Sequence, residues 1–175
     1  MILSRRALLV VGAAAALPAT ARAQASTWYA VRGPDRVFIV DMPGEPTYKV
    51  LDDRSPAGTA FTVHSYSLDH GGLAFVAQTA QLPADVDVRQ PRAWLQAALD
   101  DRAQRLAGRR WTRIDWLDLQ GVPVADATGA VADGRVLRQM VLLRGSRTVS
   151  LACLGPAAQM RSQTVDRFFS SLRLG

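Results

Sequence analysis

From Phe61 to Leu68, aromatic, β-branched and polar residues follow one another near a period of two, the pattern of a half-buried strand. Asp69-His70-Gly71-Gly72 then supplies a hairpin turn, and Leu73 to Leu82 returns as its partner. Upstream, Thr27 to Arg32 and Val37 to Met42 read as two short strands around the turn Gly33-Pro34-Asp35. Pro43 and Pro46 stop the second of these, since neither can donate to a ladder. Tyr48 to Leu51 is a further short strand ahead of the polar turn Asp52 to Pro56. Between Pro91 and Ala107 the period becomes helical, with Trp94, Leu95, Ala98, Leu99, Arg102 and Leu106 on one face. Pro91 suits a first helical position, and Gly108 suits the stop. Trp111 to Leu119, Val122 to Val131, Arg135 to Leu143 and Arg147 to Leu154 follow as four strands of a meander. Met160, Thr164, Phe168 and Leu172 recur at four-residue steps, which predicts a closing helix over Pro156 to Leu172. Strands arriving in runs, each run followed by a helix, predict an α+β domain: an antiparallel sheet of hairpins and meander flanked by two main helices.

The first residues carry a different pattern. Met1 to Arg6 is short and basic, Ala7 to Leu17 is unbroken in apolar and small residues, and Ala21-Arg22-Ala23 offers the small-x-small site of a signal peptidase. That apolar run is about half of the ~20 residues a bilayer-spanning helix needs. Residues 1–23 are therefore expected to be a cleaved export signal. Ser4-Arg5-Arg6-Ala7-Leu8-Leu9 resembles the twin-arginine export signal, while an ordinary secretory signal can also carry adjacent arginines; both routes lead out of the cytoplasm. Residues 24–36 then form a lead with a first strand, and 37–175 a single globular domain. No later stretch is long and apolar enough to predict a membrane span. The expected location is periplasmic.

Composition narrows the partners. The net charge is +6, but Arg5, Arg6 and Arg22 fall within the signal, so the remaining chain is only mildly basic and carries no nucleic-acid footprint. Lys49 is the only lysine among 21 basic residues. Cys153 is the only cysteine, so no intramolecular disulfide can form despite the oxidising destination.

Candidate chemistry is sparse. His64 and His70 are the only histidines, and with Asp69 they could offer two nitrogens and a carboxylate to a metal; a strand histidine and a solvated turn histidine are the plainer reading. His70-Gly71-Gly72 resembles an oxyanion-hole segment of lipases, but the Gly-x-Ser-x-Gly nucleophile elbow that must accompany it is missing from the chain. Cys153 sits in an apolar strand end and reads as a core residue. Asp52-Asp53, Asp85/Asp87 and Asp100-Asp101 read as solvated surface. Arg102, Arg105, Arg109, Arg110 and Arg113 form the densest basic run, a solvated face balanced by Asp100 and Asp101 or a contact for phosphate or lipid headgroups. Trp111 and Trp116, five apart, should lie on opposite sides of a regular strand. No catalytic residue and no cofactor is assigned.

Phe38-Ile39-Val40-Asp41-Met42-Pro43-Gly44-Glu45-Pro46 resembles the F-x-V-x-F-P-G-x-P opening of a group of small exported bacterial proteins, with Met42 at a position that is usually aromatic. Val165 to Leu174, with Phe168-Phe169-Ser170-Ser171-Leu172-Arg173-Leu174, resembles their closing pattern. Those proteins are similar to the PsbP-like (Mog-type) α/β/α sandwich, shared by a photosystem extrinsic subunit and a Ran-binding protein. The resemblance implies that fold and a habit of binding protein partners. The expected function is thus a non-enzymatic binding or accessory module for a complex of the cell envelope. The alternative is a small ligand or metal carrier, or an enzyme with a pocket near His64 and His70. An exposed apolar or aromatic patch would mark the first, and a deep pocket with convergent polar groups the second.

Overall fold

A computed structural model of the protein describes residues 27–175; the export signal expected over residues 1–23 lies outside the described residues. Ten strands and two α-helices follow in the order β1 (Tyr29–Arg32), β2 (Phe38–Met42), β3 (Thr47–Arg54), β4 (Ala60–His70), β5 (Leu73–Gln81), α1 (Pro91–Ala103), β6 (Arg113–Leu119), β7 (Val122–Ala130), β8 (Val136–Arg144), β9 (Arg147–Gly155), α2 (Gln163–Ser170) and β10 (Arg173–Leu174). Seven strands make one antiparallel sheet in the order β3-β4-β5-β9-β8-β7-β6, and β1-β2-β10 makes a smaller one. The α+β architecture predicted from the pattern is the one observed.

Strand parity distributes the core. Phe75, Ala77, Leu142, Val149, Leu151 and Cys153 point to one face of the large sheet, where they pack with Phe38, Val40 and Met42 of β2 and with Val165, Phe168 and Phe169 of α2. Their neighbours in sequence point to the other face, where Ala125, Ala127, Val141 and Leu143 pack against Leu95 and Leu99 of α1. The order of layers is therefore small sheet and α2, large sheet, α1. Among the described residues, no helix is long and apolar enough to cross a membrane.

Several element limits differ from the predicted ones, some for a local reason and some because of a distant partner. The β3–β4 hairpin is longer: Asp52, Asp53 and Arg54 pair with Thr62, Phe61 and Ala60 instead of turning, and the reversal moves to Ser55–Thr59, closed by Ser55 N–H to Thr59 C=O and Gly58 N–H to Ser55 C=O. Strand β4 likewise runs through His70, leaving Gly71 and Gly72 as a two-residue turn with φ of 59° and 82°, a left-handed pair that favours glycine. Helix α1 ends at Ala103 because Leu106 leaves the helical path to bridge Val131. The closing helix does not run from Pro156 to Leu172. Ser162 adopts an extended backbone, its hydroxyl accepts from Val165 N–H, and α2 starts only after this cap. Beyond α2, Arg173 and Leu174 pair with Ile39 and Phe38, a strand too short to be predicted.

Phe168 binds the layers together. It is fully buried, with ring centroids 5.2 Å from Phe75 and 5.1 Å from Phe169 in edge-on geometry. Phe168→Ala should lower stability by about 3–5 kcal/mol in urea unfolding followed by tryptophan fluorescence. A loss below about 1 kcal/mol would mean that α2 does not share the core of the large sheet.

Candidate functional site

The residues singled out in the sequence do not converge. His64 and His70 lie on one face of β4, six residues apart, which at about 3.4 Å per residue separates them by roughly 20 Å. Asp69, between them in sequence, points to the opposite face. Asp69 lines a depression of about 200 Å³ with Thr47, Ser67 and Phe75, to which neither histidine contributes. Among the described residues, no three His, Cys, Asp or Glu side chains group closely enough to hold a metal. Cys153 is fully buried on β9, and that burial pushes its thiol up to about 12, opposed by the Arg138 cation. A thiol so placed is a core residue rather than a nucleophile.

His64 does belong to a cluster of another kind. Its Nδ1 shares a hydrogen bond of 2.7 Å with the Tyr48 hydroxyl, and the two rings stack at 6.1 Å with 12° between planes. Tyr48 in turn lies 5.0 Å from Tyr66, whose far side meets Phe38 edge-on at 6.2 Å. The Tyr66 hydroxyl donates to the Arg32 carbonyl, and burial together with the nearby Tyr48 and Tyr29 hydroxyls raises its pKa. The row thus runs from the core outward. Phe38 is fully buried, whereas Tyr48, Val50 and Tyr29 are 48, 52 and 44% exposed. Period two puts Tyr48, Val50, His64 and Tyr66 on the same face of the hairpin.

The strand that presents this row is open. All eight residues of β3 are exposed, and among the described residues β3 pairs with β4 alone, so one line of its backbone N–H and C=O groups faces outward. At the opposite edge, β6 exposes Leu117 and Trp116, but the Arg92 guanidinium stands over the Trp116 ring at 5.7 Å. The parity argument for the tryptophans fails because Trp111 precedes β6. It packs with Trp116's side of the sheet, under α1, and donates from Nε1 to the Leu99 carbonyl at 2.9 Å.

A cleft of about 560 Å³ lies on the α2 side, lined by Arg113, Asp115, Asp126, Arg138, Arg161 and Asp166. Its charges largely satisfy one another. Arg138 donates to both oxygens of Asp126, from Nε at 3.1 Å and Nη2 at 2.7 Å, and lies 4.2 Å above the Phe169 ring. Arg113 pairs with Asp115 at 2.5 Å. Arg138 and Asp126 therefore act as a structural clamp that seats α2 on the sheet. This buried pair was not legible in the sequence, where the two residues look like ordinary outward positions of two strands.

No family model matches the chain, and no curated protein does. Solved structures are similar to it, among them the following two. One is the solution structure of cyanobacterial PsbP (CyanoP) from Synechocystis sp. PCC 6803, at a TM-score of 0.55 and 11% identity over 86% of this chain and 94% of that one. The other is a protein of unknown function, PA94 from Pseudomonas aeruginosa, at a TM-score of 0.41 and 12% identity over 76% of this chain and 85% of that one. The first likeness shows that the fold is PsbP-like.

The state of Cys153 is open to a direct check. At about pH 8, a soluble disulfide reagent should modify the native protein at least about a hundredfold more slowly than the urea-unfolded chain, since the native thiol is covered and un-ionised. Equal rates would show an accessible thiolate.

Proposed function

We propose that the protein is an exported, non-enzymatic accessory module that holds a protein partner of the cell envelope along β3. Export rests on the basic, apolar and small-x-small succession of residues 1–23, with its twin-arginine pattern. The accessory role rests on the outward row Tyr48–Val50 beside an unpaired strand edge, an arrangement suited to an added strand from a partner. The PsbP-like fold is compatible with such a role. Main-chain hydrogen bonds to the edge would supply register, and the two apolar side chains would supply the contact area. Asp52, Asp53 and Arg54 charge the far half of the strand, which limits the apolar part of the contact to its first residues.

The single observation that carries this reading is the exposure of Tyr48 and Val50 on an edge strand with no cover. A photoreactive residue introduced at Val50 should give one reproducible protein adduct in the native envelope, and adding Tyr48→Ser should reduce its yield by at least about tenfold while leaving the melting temperature nearly unchanged, as expected for an exposed site. An adduct indifferent to Tyr48→Ser, or no protein adduct at all, would exclude the β3 edge as the contact.

A further inference from the structure

The face of the large sheet opposite Tyr48 and Val50 carries a second opportunity, independent of any partner. Helix α1 packs over β7 and β8 and leaves the β5–β9 part of that face uncovered. Two hollows of about 340 Å³ each lie there, sharing Gln78, Arg102, Arg105, Gln139 and Ser150, so they form one groove along the helix. Each hollow alone reaches the lower end of the range of small-molecule sites.

The groove is asymmetric. Its floor at one end is apolar, made by Val76, Ala152, Leu154 and Leu137. At its middle a polar row crosses four strands, β4, β5, β9 and β8: Gln78 Nε2 donates to Ser65 Oγ at 3.1 Å, and Gln139 Nε2 donates to Ser150 Oγ at 3.2 Å. Gln139 is only 7% exposed, and its Oε1 has no hydrogen-bond partner among the described residues. A buried amide oxygen without a donor is costly, and it calls for a donor that the chain itself does not bring. Above it, at the end of α1, stand Arg102 and Arg105, and among the described residues neither belongs to an ion pair. Arg102 is half-buried; burial and the like charge of Arg105 lower its pKa, opposed by the Asp101 carboxylate that also lines the groove, and a further anion beside the two arginines would relieve the first two effects.

We propose that this groove is a binding site for a small hydroxylated carboxylate with an alkyl chain. The carboxylate pairs with Arg102 and Arg105. The hydroxyl donates to Gln139 Oε1, and the chain lies on Val76, Ala152 and Leu154. A plain fatty acid would leave Gln139 unpartnered, whereas a neutral alcohol would leave the two arginines unpaired.

Calorimetric titration of the mature protein with β-hydroxydecanoate, decanoate and the methyl ester of β-hydroxydecanoate tests the assignment. β-Hydroxydecanoate should bind saturably, and each analogue at least about fivefold more weakly, one for the lost hydroxyl and the other for the lost charge. Arg102→Met should weaken the hydroxy acid about tenfold. Gln139→Leu should bring the hydroxy acid down to the level of decanoate, with the melting temperature held or raised because the orphaned oxygen is gone. The absence of saturable binding, a hydroxy acid no tighter than decanoate, or an affinity indifferent to both variants would overturn the proposal and leave a groove filled by water only.

Discussion

Strands β7 and β8 bury side chains on both of their faces, whereas β5 and β9 bury them mainly on one, and the rest of the architecture answers that difference. Seven strands at about 4.8 Å span roughly 29 Å, whereas a helix is only about 10 Å across and covers about two strands. One face is closed by α2 together with the β1-β2-β10 sheet, so that Phe38, Met42, Phe75 and Phe168 meet in one core. The other face has α1 alone, seated on β7 and β8. What a single helix cannot reach stays open. The α1 groove is a consequence of that shortfall, and on the other face Tyr48 and Val50 lie beyond the cover of the small sheet and α2.

Closure of the α2 side depends on ties between segments distant in sequence. Asp41 is the hub: its N–H donates to Ser171 Oγ at 2.9 Å, and its carboxylate accepts from Arg167 Nη2 at 3.0 Å. Arg167 also lies 4.1 Å above the Trp28 ring, which draws the start of β1 onto α2. On the other flank, Arg138 bridges Asp126 and Phe169. These contacts fix a helix of only eight residues, too short to persist without tertiary support.

Much of the fold was legible because its signals are local. Period-two runs located the strands, and Gly71-Gly72 located the β4–β5 turn. Two of the misjudged limits are decided by a partner far along the chain. Leu106 leaves the helix to meet Val131, and Arg173 is extended because Ile39 offers it a ladder. The proposed contact surfaces were hidden because distant segments assemble them. Tyr48 reads as a short-strand residue until pairing sets it beside His64 and Tyr66, and Gln139 reads as an ordinary polar strand position until α1 covers it. His64 and His70 are set apart along β4 by the rise of the strand, and Asp69 lies on its other face, so their nearness in sequence brings no convergence.

An uncovered sheet edge as the working surface is the claim on which the functional account rests, and hydrogen exchange addresses it most directly. Amide exchange would be followed on the mature protein alone and with an extract of its own cell envelope. The account predicts slowing confined to Thr47–Arg54 and the β4 residues paired with it, with the central strands unchanged. Slowing at α2, at the β6 edge or nowhere would contradict it.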